Sequence, residues 1–298
     1  MNVERYSDKE DKLYTFYPFI KYNNHHFFNT NCIVENAEKH LKAVKEFDSL
    51  ENDVILATQL KTGTHWVHEI MSMLLTQQTG YNNAGTIMDR NFEALLDLKR
   101  AKYLPQPRLF HTHMPVEYLP RKHIENGYKI VQLNRNPMDR HVSSYLFMLG
   151  KIGVPNWSWS DYFEHMVMGD GDLFNGWFMY TKQWEDAKLK YPDNIYSLRY
   201  EWLIKNPIRT VTDLAKFLNV PHTDEFVQEI VKRCSFDNLK NNKIDASRCI
   251  HPEKKSTLFR KGKMNDWKNW FTVTQHEQFE ELYKKEMAGC DVDFLSEF

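Results

Sequence analysis

The sequence predicts an α/β protein in which a central parallel sheet is flanked by helices. Two observations point there. Short apolar runs of strand-like composition alternate along the chain with runs whose apolar residues recur every three or four positions. No internal repeat, low-complexity tract or Pro-, Gly- or Ser-rich linker interrupts that alternation, so residues 1–298 read as one domain. The composition agrees: 42% of the 298 residues are hydrophobic, enough for a large core.

The first strand is expected over residues 53–58 (DVILAT), an unbroken apolar run of the kind buried on both faces. Residues 66–77 follow as a helix, with Trp66, Ile70, Met73 and Leu74 on one side. Residues 108–112 and 129–134 (KIVQLN) read as further strands, the second feeding a helix over 139–149. A strand over 194–200 and a helix over 207–219 complete the pattern. Pro207 opens that helix, and Val211, Leu214, Ala215 and Leu218 share a face. Residues 248–269 are basic and without period, and are expected to form a long functional loop.

The charge balance excludes some functions. A formal net charge of −1 argues against a general binder of nucleic acid or acidic membrane, so any anion site must be local. No apolar run approaches the length of a membrane span, and the charged start MNVERYSDKEDK lacks a signal-peptide core. Cys32, Cys234, Cys249 and Cys290 lie far apart and form no CxxC pair. They suit a reducing compartment, and a cytoplasmic location is expected.

Four stretches carry chemistry. LATQLKTGTHW (residues 56–66) is a strand, a Gly-containing turn and a helix start, which aims backbone N–H groups and a helix N-terminus at an anion. Lys61 adds a point charge there, and Thr62 and Thr64 add hydroxyls. The stretch is not a Walker motif, since GxxxxGK[ST] is absent. RNPMDRHVSSY (135–145) again opens a helix after a strand, with Arg135 able to grip a phosphate through two N–H groups and Ser143 two turns on. Residues 254–268 hold six basic side chains against the single acidic Asp266. FHTHMP (110–115) puts His111 and His113 on one face of a strand end. Each has a plainer reading: a common α/β turn, an Arg paired with a surface carboxylate, a solvated charge run and structural histidines. His65, His68, Glu69, His111 and His113 could also be read together as a metal cluster.

Taken in order, the four stretches resemble the cytosolic sulfotransferase family. TQLKTGTHW is similar to the family's TYPKSGTTW, with Thr62 for Ser, His65 for Thr and Gln59-Leu60 for Tyr-Pro. RNPMDRHVSSY resembles RNPKDVxVSxY, departing at Met138 and Arg140. The run from Arg260 to Asn269 resembles RKGxxGDWKN, with Asn265 in place of a Gly, and HTHMP resembles KTHLP, with His111 in place of Lys.

The resemblance implies transfer of a sulfo group from 3′-phosphoadenosine 5′-phosphosulfate to a hydroxyl or amine, without a metal. It implies a P-loop-like strand–loop–helix for the phosphosulfate, made by Lys61, Thr62, Gly63, Thr64, His65 and Trp66. Arg135, Ser143 and Arg260-Lys261-Gly262 would hold the 3′-phosphate. Tyr200, Cys234, Ser235, Phe236 and Phe259 would contact the adenosine. His113 takes the place of the catalytic base, Lys61 would neutralise the leaving oxygen, Thr62 would steer Lys61, and His111 would assist the sulfuryl oxygens when protonated or by donating an N–H, with help that weakens as pH rises. Lys268, Thr272, Val273 and Glu277 fit the family's KxxxTVxxxE dimerisation motif, implying a homodimer. Phe147, Phe92 and Tyr14 are the expected wall of a pocket for a small apolar or aromatic acceptor. Two readings compete: a P-loop-like kinase, and a binding protein of this fold without catalysis.

Overall fold

A computed structural model of the chain describes residues 19–28, 30–82, 87–94, 98–149, 157–169, 171–242 and 259–295. Phe19–Tyr22 (β1) and His25–Phe28 (β2) form an antiparallel hairpin. Its two turn residues, Asn23 and Asn24, have φ of 46° and 62°, the left-handed pair that a two-residue hairpin turn requires. Helix α1 (Asn31–Lys45) then leads into the sheet.

The sheet has four parallel strands in the order β4–β3–β5–β6: β3 is Val54–Thr58, β4 Leu109–Thr112, β5 Ile130–Asn134 and β6 Ile195–Arg199. Every residue of β3, β4 and β5 is buried, because helices cover both faces. Alternation along β3 divides the core in two. Val54 and Leu56 face Val67, Ile70 and Leu74, while Ile55 and Ala57 face the side holding Phe92, Phe110, Trp177 and Trp184.

The helices are α2 (Thr64–Thr76), α3 (Arg121–Glu125), α4 (Pro137–Leu149), α5 (Trp159–Tyr162), α6 (Gly176–Lys190), α7 (Tyr200–Lys205), α8 (Pro207–Phe217), α9 (Asp224–Arg233), α10 (Phe236–Asn242) and α11 (Val273–Glu286). The four strands fall within one residue of the sequence expectation. Helices α2 and α4 start two residues earlier than expected: the turn closes directly on Thr64, and Pro137 supplies a preset φ for the first helical turn. Of the expected basic loop, 259–265 carry no regular structure and Asp266–Asn269 form a 3-10 turn. Residues 248–258 lie outside the described ones.

Strand order reverses between β3 and β5, whose connections leave in opposite directions across the sheet. The crevice at their carboxyl ends is where open parallel sheets bind ligands. The first two anion-type turns, after Thr58 and after Asn134, both open there.

Candidate active site

The turn after β3 is held by its own backbone. Lys61 has φ 67° and Gly63 φ 112°. A side chain at position 63 would come 2.9 Å from the Tyr200 ring, so Gly is needed for both conformation and space. The Thr62 hydroxyl donates to the Gln59 carbonyl at 2.8 Å and does not face the cleft. The Thr62 proton thus helps to close the turn, while the lone pairs of its oxygen stay able to accept a hydrogen bond. The Lys61 ammonium lies 4.2 Å above the Phe147 ring.

His113 stands at the end of β4, opposite that turn. Its Nδ1 is 2.8 Å from the Thr58 carbonyl oxygen and 3.1 Å from the Thr58 hydroxyl. A carbonyl can only accept, so Nδ1 carries the proton in that bond and Nε2 keeps its lone pair. The main-chain N–H of His113 donates to Glu93 Oε1, which also accepts the Thr112 hydroxyl at 3.0 Å. The Phe28 ring, at the end of β2, flanks the imidazole at 5.6 Å.

His111 lines the same cleft, but as a buried neutral group. Burial pushes its basicity well below the usual value, helped by His113, His68 and His65 nearby. Its Nε2 is 2.9 Å from Asn91 Nδ2. Burial thus disfavours the protonated form and leaves N–H donation as the route by which His111 would act. Nor is a metal cluster assembled, since among the described residues no group of three or more His, Cys, Asp or Glu is placed to hold an ion.

The opposite end of the cleft is cationic. Arg135 Nη1 donates to the Lys61 carbonyl at 3.0 Å, and its guanidinium lies 4.4 Å over the Tyr200 ring. Arg260 and Lys261 both reach Asp266, each at 2.6 Å. Burial raises the Asp266 carboxyl, but hydrogen bonds from Lys261, Arg260 and Asn269 outweigh it and hold the group below its ordinary value. Asn265 has φ 63°, as a Gly replacement there needs. Its amide and that of Trp267 donate to Asp139 at 2.6 and 3.0 Å, tying the basic loop to α4. At Gly262 a Cβ would stand 2.2 Å from the Phe236 ring, so this backbone is pressed against the aromatic wall. Trp66 meets Tyr200 edge-on at 5.3 Å, and Phe236 meets Phe259 at 6.4 Å. One cleft of about 690 Å³ is lined by Lys61, Gly63, Trp66, His111, His113, Arg135, Tyr200, Phe236, Phe259 and Arg260-Lys261-Gly262 together with Thr64, His65, Ser143, Cys234 and Ser235, but without Thr62.

Comparison with known proteins identifies the family. The family model described as Sulfotransferase domain matches residues 51–291. The chain belongs to the sulfotransferase family. It is 33% identical over 268 residues to sulfotransferase 1B1 of Canis lupus familiaris, covering 85% of this chain and 90% of that protein. Mouse sulfotransferase SULT7A1, solved in complex with PAP, superposes with a TM-score of 0.76 at 25% identity, covering 92% of this chain and 96% of that one. Retinol dehydratase, solved with androsterone and PAP, shares the fold with a TM-score of 0.78 at 20% identity, covering 99% and 98%.

In this sulfotransferase every sequence-expected phosphosulfate, phosphate and adenosine residue except Thr62 reaches the cleft. The expected acceptor wall fares less evenly. Phe147 lines the cleft. Phe92 does not: it is fully buried, stacked on Phe110 at 5.0 Å and set against Phe47 at 5.4 Å, in the core beneath. Tyr14 lies outside the described residues. The cleft lining also includes Phe28, Asn91, Glu93 and Met148, which sequence reasoning missed. The Asn23-Asn24 pair was the readable signal for the hairpin that delivers Phe28. Nothing local marks Asn91 or Glu93. Of the dimer-motif residues, Thr272 caps α11, its hydroxyl accepting from the Gln275 amide at 3.2 Å, and Val273 is 76% exposed. Among the described residues no helix is long and apolar enough to cross a membrane.

Proposed function

We propose that this sulfotransferase moves the sulfo group of 3′-phosphoadenosine 5′-phosphosulfate onto a hydroxyl or amine of a small, apolar or aromatic acceptor. One observation carries the reading. An imidazole with its Nδ1 pinned by the Thr58 carbonyl and its Nε2 available shares a cleft with the Lys61 turn and with Arg135 and Arg260. PAP accompanies mouse SULT7A1, and retinol dehydratase of the same fold is solved with androsterone and with retinol beside PAP. Those two acceptors are apolar, as is much of the wall formed here by Phe28, Phe147 and Met148.

The residues fit an in-line transfer. Ser143, Arg135 and the Arg260-Lys261-Gly262 strap would hold the 3′-phosphate, with Trp66, Tyr200, Cys234, Ser235, Phe236 and Phe259 about the adenosine. The loop amides from Gly63 to Trp66 would fix the phosphosulfate at the start of α2. His113 Nε2 then takes the acceptor proton as the new S–O bond forms and the bridging S–O bond breaks. Lys61 leaves Phe147 to neutralise the charge growing on the phosphate oxygen. Neutral His111 offers at most an N–H. We assign the activity to a single domain, located in the cytoplasm and paired as a homodimer through Lys268, Thr272, Val273 and Glu277.

The test is an acceptor panel of phenols, steroid-like alcohols and aryl amines with the labelled sulfo donor, alongside thermal melting with adenosine 3′,5′-bisphosphate. Label transfer to at least one class and a raised melting temperature are expected. Failure of both, or stabilisation by ATP instead, would overturn the reading.

A further inference from the structure

Two departures from the family pattern, 80 positions apart in sequence, meet in space. Leu60 stands where the phosphosulfate turn usually has Pro, and Arg140 where the second motif has Val. Arg140 Nε donates to the Leu60 carbonyl at 3.0 Å. The same guanidinium, wholly buried, grips Asp172 through both terminal nitrogens, Nη2 to Oδ1 at 2.9 Å and Nη1 to Oδ2. Asp172 Oδ1 also accepts the Leu173 amide at 2.9 Å, opening the 3-10 turn Leu173–Asn175. That turn packs on β2, with Phe174 against Phe27 at 5.0 Å, and the next residue of β2 is the cleft-lining Phe28.

A buried ion pair is weak support for stability, because desolvating both charges offsets most of their attraction, and an apolar side chain fills the same place without that cost. What Arg140 adds over Val is a fixed donor aimed at one carbonyl. That carbonyl belongs to the residue before Lys61, which holds a left-handed φ of 67° at some conformational cost. Proline restrains a turn through its locked φ. Leu60 lacks that restraint, although its φ is not positive and its amide makes no backbone hydrogen bond among the described residues.

We propose that Arg140 is a positioning residue which, through the Leu60 carbonyl, supplies the restraint that proline gives elsewhere in the family. It sets Lys61 in register with the acceptor wall that Asp172 anchors. The inference rests on the sulfo-transfer reading above. Arg140 touches no reacting atom, so it acts on the rate of transfer more than on nucleotide binding.

Three variants decide it. Arg140→Met is made with Asp172→Asn, so that no carboxylate is left buried without its cation. The same pair is then made with Leu60→Pro. Arg140→Lys alone keeps a cation opposite Asp172 and removes the Nε–H. kcat, the KM for the sulfo donor, the calorimetric Kd for adenosine 3′,5′-bisphosphate and the unliganded Tm are measured for each.

In the double variant and in Arg140→Lys, kcat is expected to fall about 10- to 100-fold, the scale of an ångström's misplacement at a reacting centre. The bisphosphate Kd should stay within about threefold, and Leu60→Pro should recover most of the lost kcat. A kcat within about twofold of wild type overturns the inference, as does a loss that Leu60→Pro leaves in place. If the double variant fails to fold, the kcat of Arg140→Lys decides between the same two outcomes. A wild type with neither sulfo transfer nor bisphosphate affinity overturns the functional reading and this inference with it. An active wild type with unaffected variants overturns the inference alone.

Discussion

At the scale of single residues, the cleft separates two histidines of one strand end by their surroundings. His113 has a carbonyl on Nδ1 and an aromatic ring at its side, whereas His111 is sealed against Asn91 with the imidazoles of His113, His68 and His65 close by. The first is the one we propose as the base. His113→Ala should therefore abolish transfer while the bisphosphate Kd, measured calorimetrically, stays near wild type. Retention of more than a few per cent of kcat would assign the base elsewhere. His111→Gln keeps an uncharged hydrogen-bonding group next to Asn91. The pH profile of kcat from about 5.5 to 8 should keep its shape in that variant, because burial disfavours the protonated form of the native ring. Displacement of the acid limb would show that His111 titrates during turnover.

At the scale of elements, the two arginines of the phosphate end do different work. Arg260 belongs to the basic strap and pairs with Asp266, while Arg135 holds the Lys61 carbonyl. Losing a charge-assisted phosphate contact costs roughly 1.5–3 kcal/mol, about 10- to 150-fold in affinity. Arg260 is already partly neutralised by Asp266, so Arg260→Ala should fall at the lower end of that range. Its loss should be confined to nucleotides bearing the 3′-phosphate. Arg135→Ala should weaken binding with and without that phosphate, since it also releases the phosphosulfate turn. Equal selectivity in the two titrations would refute this division. Val273, exposed at the first turn of α11, invites a parallel test: Val273→Glu should convert a sedimenting dimer to monomer, and a wild type already monomeric at micromolar concentration would end that proposal. The strands were legible because runs such as VILAT and IVQLN are apolar throughout, and the anion turns because their residue types repeat a family pattern. Thr62, Phe92 and Arg140 were not. What decides each is a partner distant in sequence or a choice of side-chain direction, and no local pattern encodes either: Gln59 claims the Thr62 hydroxyl, Phe110 stacks Phe92 inward, and Leu60 and Asp172 capture Arg140.

At the scale of the whole molecule, a chain of net charge −1 brings Lys61, Arg135, Arg260, Lys261 and Lys263 to one crevice and buries several imidazoles around the sheet. Those imidazoles make stability depend on pH. Burial lowers His123 from 6.5 to about 4, although a hydrogen bond to the Lys129 carbonyl opposes it. Burial beside Arg140 lowers His141 to about 3, and His111 is also held well below its ordinary value. Each depressed group stays neutral in the folded chain while the unfolded chain takes up a proton near pH 6.5. The unfolded state thus binds more protons, so stability rises with pH through this window and is lost as pH falls from about 6.5 toward 4. Each such group contributes a slope of up to about 1.4 kcal/mol per pH unit. The Glu201 carboxyl, raised by burial, works in the opposite sense, and carboxylates held low, such as Asp266, act mainly below pH 4. Urea unfolding between pH 7.5 and 4.5 should show a steady fall in unfolding free energy that begins near pH 6.5. His123→Gln, which cannot titrate, should reduce that slope by about one proton. A free energy flat from pH 6.5 to 5, or a slope that His123→Gln leaves unchanged, would mean that these rings are protonated in the folded protein after all.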